Sequence, residues 1–283
     1  MWLQIMPDVD KNQLGRWQAV LEAQTGINLN QHEHILRKGL NPWLQGMSDD
    51  EAELTLARSE SQPWQGLGGL VDHLAVKETR FYRNPAAYRI LAQYVQRRLQ
   101  DSQQARLLLD MWSAGCSTGE EAYTMAMTAS ELMQSVEQRA YFGVIGSDIS
   151  SAAVKSARQG SYHVRRLQSL PDTLRQRYLV SDDNLNYRIE SQLASRVCFV
   201  QSNLLDDRAT PKSAMDVIFC QNVLVYFRGW RQKQVLNNLV QRLKPGGILL
   251  IGASEGRGWQ HPDLTRMPGD DVQVFERRRD GNQ

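Results

Sequence analysis

Leu107–Tyr123, LLLDMWSAGCSTGEEAY, is the stretch that decides the fold. Its apolar run, Leu107 to Trp112, reads as a buried strand. Gly115-Cys116-Ser117-Thr118-Gly119 then turns the chain, and Glu120 to Met133 has helical character. A strand, a glycine turn and a helix in that order bring backbone N–H groups at a helix start to a ligand, and glycine permits close approach. Gly115 and Gly119 are four apart, and the three-glycine dinucleotide fingerprint is absent. The flanking segments therefore have to identify the ligand.

Downstream, apolar strands alternate with helices. Strands are expected at 106–112, 141–147, 196–200, 214–220, 246–252 and 271–277, with helices near 119–134, 150–159, 171–179 and 230–243. That alternation predicts a parallel sheet with helices on both faces, and a ligand outside the carboxyl ends of the strands. Leu185–Ile189 interrupts it as a short strand-like run and fits a small antiparallel insert. Lys244-Pro245-Gly246-Gly247 reads as a turn before a strand at 248–251. Upstream, residues 1–100 show helical spacing at 12–25, 32–44, 48–59, from about 69, and at 85–98, with no strand pattern.

Composition excludes several classes. No apolar run reaches the 18 or more residues that span a bilayer, so no membrane insertion is expected. The first residues, MWLQIMPDVDK, lack the layout of a secretory signal. Cys116, Cys198 and Cys220 are widely spaced, offer no metal knuckle and suit a reducing cytoplasm. His32 and His34 alternate rather than sharing a helix face, so no metal site is expected. A net charge of +2 argues against a nucleic-acid partner. Between Lys155 and Arg177, however, six basic residues (Lys155, Arg158, Arg165, Arg166, Arg175 and Arg177) face a single acidic one, Asp172. Such a cluster suits either solvated helix faces or an acidic partner.

Asp148 ends the expected strand at 141–147. An acid there accepts hydrogen bonds from ribose hydroxyls, and the competing role, capping the next helix, is open to Ser150 as well. Together with the glycine turn, Asp148 describes an adenosine site. It does not separate NAD from S-adenosylmethionine.

With these segments in place, the sequence resembles the CheR chemotaxis-receptor methyltransferases. The resemblance is carried by Thr79–Arg83 (TRFYR), Trp112–Tyr123, Gly146–Ser150 (GSDIS), Asn203-Leu204-Leu205, Phe219–Phe227 (FCQNVLVYF), Leu243–Gly247 (LKPGG) and Gly252–Glu255 (GASE). It implies an α/β fold, a Rossmann-like S-adenosylmethionine-dependent methyltransferase sheet domain with a small antiparallel β-subdomain insert, preceded by an all-helical N-terminal domain. The expected division is 1–98 (helical, with linker) and 99–283, with the β-subdomain at about 178–198. The implied activity is methyl transfer from S-adenosylmethionine to glutamate side chains of a chemoreceptor's cytoplasmic helical domain, by a cytoplasmic monomer.

Carried over onto matching positions, Thr79, Arg83, Glu121, Asp148, Asn203, Leu204, Asn222 and Val223 are implied to contact the cofactor, beside Gly115 of the turn. Glu120 is a neighbouring candidate to Glu121. Arg83 and Tyr226 are implied at the reacting centre. By residue type alone, Arg83 would be a surface ion pair and Tyr226 a core aromatic. An ionised carboxylate acceptor requires no general base, which accords with the lack of a catalytic histidine or paired carboxylates in the motifs.

The chain departs from the family in three places. Gln221-Asn222 stands where the family usually has Arg-Asn. The run from Val180 to Phe199 is short and has no glycine, which predicts independence of a receptor's C-terminal pentapeptide. Residues 1–100 balance 11 basic against 11 acidic side chains, with only Arg37 and Lys38 in the second helix, which points toward a receptor of a motility or pilus-type array. Two rival functions remain at this stage: a methyltransferase acting on a small molecule, and a non-catalytic module sensing S-adenosylmethionine or S-adenosylhomocysteine.

Overall fold

The computed structural model describes residues 9–30, 32–61, 67–74, 79–101, 106–134, 139–206, 211–268 and 271–279. Residues 1–8, 31, 62–66, 75–78, 102–105, 135–138, 207–210, 269–270 and 280–283 lie outside them. Ten helices and ten strands are named among the described residues. The helices are α1 (Lys11–Thr25), α2 (Glu33–Leu44), α3 (Asp49–Ser61), α4 (Gly68–Leu74), α5 (Pro85–Asp101), α6 (Glu120–Gln134), α7 (Ser151–Gln159), α8 (Asp172–Tyr178), α9 (Ser191–Ala194) and α10 (Gly229–Gln241). The strands are β1 (Arg106–Ala114), β2 (Arg139–Asp148), β3 (Ser161–His163), β4 (Leu179–Ser181), β5 (Asn186–Ile189), β6 (Val197–Gln201), β7 (Met215–Cys220), β8 (Leu243–Gly252), β9 (Leu264–Met267) and β10 (Val272–Arg277).

Seven strands form one sheet in the order β6-β2-β1-β7-β8-β10-β9. Its β6-to-β8 part is parallel, and β10 and β9 add antiparallel strands at one edge. Burial on both faces explains the continuous apolar runs. In β1, Leu107, Leu109 and Met111 enter one core with α5 and α6, whereas Trp112 and Ala114 enter the other with α10. In β7, Val217 and Phe219 face the first core, and Ile218 and Cys220 the second. The chain order reverses between β1 and β7, so the turn after β1 sits at the switch point.

The expected turn at Lys244-Pro245-Gly246-Gly247 is instead inside β8. Met215 pairs with Leu243 and Val217 with Ile248, so the register shifts between them. The extra residues bulge out, Pro245 needs no ladder partner there, and Gly246 takes the left-handed φ of +76° that the bulge requires. The insert is also wider than its sequence signal. Its sheet has the order β3-β5-β4, and its first strand begins at Ser161. Three-residue strands such as β3 and β4 are too short to show a period of two, and β9 escaped notice for a similar reason.

Four of the six basic residues in the 155–177 run have partners within the chain. Arg158 donates to the Phe199 carbonyl at 2.7 Å, Arg166 pairs with Glu120, Arg177 pairs with Glu131 at 2.6 Å, and Arg175 lies over the Tyr187 ring. Lys155, Arg158, Arg165 and Arg177 are exposed, and Arg166 and Arg175 are half-buried. Four of the six are thus solvated, as helix faces would be, and Arg158 and Arg177 are held at the surface by their partners.

Helices α1 to α4 share a separate core around Trp17, Leu21, Leu40 and Leu70. Helix α5 does not belong to it. Its Ala87, Tyr88, Leu91 and Val95 pack in the core of the large sheet, so residue 98 falls within a helix that the sheet holds. Asp216 fixes this helix from below. Fully buried at the start of β7, it accepts from Arg98 Nη1 at 2.7 Å, Lys244 Nζ at 2.6 Å and the Asp110 N–H at 2.9 Å.

Asp216→Ala should cost roughly 2–3 kcal/mol, less than orphaning wholly buried charges because Arg98 and Lys244 still reach solvent. Thermal unfolding would show this as a midpoint about 5–10 °C lower, with cofactor affinity retained in the folded protein. An unchanged midpoint would mean the cluster contributes nothing net.

Candidate active site

The carboxyl ends of β1, β2, β6 and β7 open onto one cavity of about 290 Å³. Thr79, Arg83, Gly115, Glu121, Asp148, Asn203, Leu204, Asn222, Val223 and Tyr226 all border it. Residues scattered over nearly 150 positions converge because each lies just past a strand end or just before α5.

The turn is suspended from β2. The N–H groups of Gly115 and Cys116 both donate to the Ser147 carbonyl at 2.8 Å, and that of Ser117 donates to Asp148 Oδ2 at 2.8 Å. Gly115 has φ +82°, and a Cβ there would lie 2.3 Å from Val223 Cγ2. Glycine is required both by the backbone and by the approach of the 221–223 segment. Asp148 Oδ1 accepts from the Ser150 N–H at 2.9 Å. Ser150, not Asp148, caps α7, by accepting from the Ala153 N–H. Burial pushes the Asp148 carboxyl up, against the pull of the backbone N–H groups it accepts from.

Between the two adjacent acids, the geometry separates the roles. Glu120 is fully buried away from the cavity, accepting from Thr118 Oγ1 at 2.7 Å and pairing with Arg166. Glu121 borders the cavity. Its Oε1 accepts from Ser113 Oγ at 2.8 Å and its Oε2 from Gln221 Nε2 at 3.2 Å. Burial raises its pKa to about 7, with Glu255 adding to the rise and Arg83, Ser113 and Gln221 opposing it.

Glu255, the last residue of the GASE motif, is a functional residue without a role among the expectations from sequence. The side chain is 1% exposed. Its two oxygens accept from the N–H groups of Gly252 (2.7 Å), Asn222 (3.0 Å), Leu224 (2.7 Å) and Val225 (3.3 Å). It thereby shapes the loop that carries Asn222, Val223 and Tyr226. An acid three residues past the glycine that ends an apolar strand is its signal in the sequence. Among the described residues, three that are not glycine have left-handed φ: Tyr82 (56°), Ser117 (49°) and Asn222 (61°). Ser117 and Asn222 line the cavity, and Tyr82 precedes Arg83. Such strain persists only where surrounding bonds over-determine it.

The helical domain supplies one wall. Ile27, Leu29, Ile35 and Leu74 line the cavity opposite Leu204. Ile27 bridges Phe227 as an antiparallel pair, the Asn28 N–H donates to the Tyr226 carbonyl at 2.8 Å, and Asn203 Nδ2 donates to the Gln24 carbonyl at 2.8 Å. Asp72 of α4 accepts from Ser150 Oγ (2.6 Å), Ser151 Oγ (2.7 Å) and the Ala152 N–H (3.1 Å) at the start of α7. The cavity thus has two inward carboxylates, an apolar wall and, in Arg80 and Arg83, two exposed arginines.

A carboxyl raised above its unfolded pKa binds a proton in the native state that the unfolded chain has released. Stability therefore falls as pH rises from about 4.5 to about 7 and is level above that. Because part of Glu121 faces the open cavity, the loss is about 1–2 kcal/mol rather than the full linkage value. Glu121→Gln should raise the ligand-free unfolding midpoint at pH 8 and leave it nearly unchanged at pH 5. Equal shifts at both pH values would show that Glu121 is not the titrating group.

Residues 77–271 match the family described as CheR methyltransferase, SAM binding domain. A chemotaxis protein methyltransferase of Escherichia coli (strain K12) is 33% identical over 215 residues, covering 74% of this chain and 71% of that protein. A chemotaxis protein methyltransferase of Borreliella burgdorferi is 28% identical over 253 residues, covering 88% of this chain and 89% of its own length. The cavity lies within the matched segment and is closed by the helices before it, and the chain belongs to the CheR methyltransferase family.

Proposed function

We propose that the protein methylates glutamate side chains in the cytoplasmic helical domain of a chemoreceptor, using S-adenosylmethionine. The observation that carries this reading is the pairing of inward carboxylates with arginines that line the same cavity. The residues fit the cofactor. Asp148 offers an acceptor to ribose hydroxyls, Glu121 an anion to the cationic amino-acid end, and Ile149, Leu204 and the helical wall an apolar bed for the base. Gly115 keeps the backbone close without a side chain in the way. When bound, S-adenosylmethionine supplies a methyl group on a cationic sulfur.

The chain's own residues then have a limited task. The acceptor carboxylate is ionised at neutral pH, so no residue has to remove a proton. Arg83 holds that carboxylate through paired N–H donors. The Tyr226 hydroxyl orients the acceptor oxygen. The apolar wall of helical-domain residues excludes water from the exchange. The protein acts in the cytoplasm as a monomer, and no described helix is long and apolar enough to cross a membrane.

Docking is independent of a receptor's C-terminal pentapeptide in this proposal. Support comes from the β4–β5 connection, a tight turn braced by Asp183, whose Oδ1 accepts from the N–H groups of Leu185 and Asn186 at 2.7 Å. The second reading, a non-catalytic cofactor sensor, is favoured by one observation only, the neutral Gln221 at a position where the family carries arginine.

Incubation of the enzyme and labelled S-adenosylmethionine with receptor cytoplasmic fragments should give alkali-labile label on glutamates. Absence of transfer to any fragment in a single turnover would favour the sensor. Asp148→Ala should abolish cofactor binding in calorimetry, whereas Tyr226→Phe should bind normally and turn over on the order of tenfold more slowly, as expected for one lost hydrogen bond. Removal of the receptor's C-terminal tail should leave the rate unchanged; a large loss would refute pentapeptide independence.

A further inference from the structure

Gln221 stands just past β7 between two polar side chains. Its Oε1 accepts from Asn84 Nδ2 at 3.2 Å, and its Nε2 donates to Glu121 Oε2 at 3.2 Å. Asn84 Nδ2 also donates to the Asp271 carbonyl at 3.3 Å. A carbonyl there accepts only a donor, which fixes the end of Asn84 that meets Gln221, and so the end of Gln221 that meets Glu121. The donors run one way, from Asn84 through Gln221 to the carboxylate, and Ser113 completes the set on the other oxygen. Gln221 and Ser113 are neutral, and each Glu121 oxygen keeps further acceptor capacity. An arginine at 221 would place a full positive charge against the same carboxylate.

We propose that Gln221 is a positioning and specificity-determining residue: held by Asn84, its neutral amide aims Glu121 into the cavity and leaves the carboxylate's charge uncancelled for the cationic end of S-adenosylmethionine. The inference rests on the assignment of Glu121 to the cofactor site. The other titratable groups facing Glu121 are Arg83, Glu255 from the loop after β8, Tyr88 from α5, Cys116 from the turn and Cys220 from β7. Arg83 supplies the positive charge in this set, and it is exposed at the cavity. Burial is the largest influence on Glu121, the Ser113 and Gln221 donors oppose it, and Glu255 adds to it; a cationic ligand would favour the charged form further. The donor carries a charge at sulfur that the product lacks. A neutral residue at 221 thus favours donor over product more than an arginine would.

Calorimetric titration of the full chain with S-adenosylmethionine and S-adenosylhomocysteine between pH 5.5 and 7 tests this. The window lies below the point where the ligands' own α-amino group loses its proton, about 7.7–8.0. Wild-type affinity for S-adenosylmethionine should rise about tenfold across it as Glu121 ionises, and Glu121→Gln should flatten the rise. Gln221→Ala should weaken donor binding roughly fivefold at pH 7 and move the midpoint upward, because one donor to the charged form is lost. Asn84→Ala, which leaves Glu121's own contacts in place, should act in the same direction and less. Gln221→Arg should flatten the profile above about pH 6 and cut the donor-over-product preference several-fold. Wild-type affinity and profile in all three relay variants, with Glu121→Gln flat, overturn the role of Gln221 alone. Wild-type binding by Glu121→Gln at every pH overturns the assignment of Glu121 itself. Unfolding midpoints of the ligand-free variants identify any that fail to fold, and Asn84→Ala then decides the matter.

Discussion

The end of β2 holds the turn that follows β1. Ser147 offers its carbonyl to two successive N–H groups, and Asp148 offers a carboxylate oxygen to a third. Three donors that would otherwise point into a cavity with no partner are thereby satisfied. The register of β1 on β2, Ala114 opposite Ser147, brings the acceptors to the right height. A one-residue slip would move every side chain of β1 to the other core and detach the turn as well. Sheet pairing, the two hydrophobic cores and the shape of the site therefore stand or fall together.

Glu255 plays the corresponding part on the other side of the switch point. The 221–226 loop has one strained residue, Asn222, and one short helical turn at Leu224–Tyr226. Left alone, such a segment would expose several backbone donors to a dry interior. One buried carboxylate takes three of them, and the Gly252 N–H besides. Charge-assisted bonds of this kind are about twice as strong as neutral ones. That is enough to offset a left-handed residue, which costs roughly 1–2 kcal/mol. The two strand-end loops then meet where Val223 closes on Gly115.

Much of this was legible in the sequence. The strands β1, β2, β7 and β8 are long and apolar on both faces, so their signal survives without any partner information. The helices of the first hundred residues were legible from spacing and caps. Asp148 and Gly115 were legible because strand-end position alone gives them meaning. What escaped were features created by pairing. Strands β3, β4 and β9 have three or four residues, and pattern cannot mark them. Pro245-Gly246 carries a turn composition, yet pairing of its flanks with β7 makes it a bulge. Sequence does not display the carbonyl, Glu120 and Glu131 that hold Arg158, Arg166 and Arg177. The choice between Glu120 and Glu121 depended on which face of α6 met Arg166, a fact about tertiary packing. For Arg83 and Tyr226, residue type alone favoured a bland role. Only the family's motif, and then their shared cavity, placed them together.

The seam between the helical domain and the sheet is built from the residues that border the site. Asn203 lines the cavity while its amide donates to Gln24. Tyr226 lines it while its backbone carbonyl receives the Asn28 N–H. Ile149 follows Asp148, borders the cavity and packs against the helical core. Asp72 grips the start of α7 through Ser150, whose own N–H is bonded to Asp148. Asn203, Tyr226 and Ile149 serve the seam and the cavity wall at once. A small shift of α1 or α4 would be felt at Asn203, at Tyr226 and at the residue that braces the glycine turn. The helical domain is on these grounds a structural part of the site rather than an appendage to it, and the geometry of the sheet's switch point is completed only when those helices are in place.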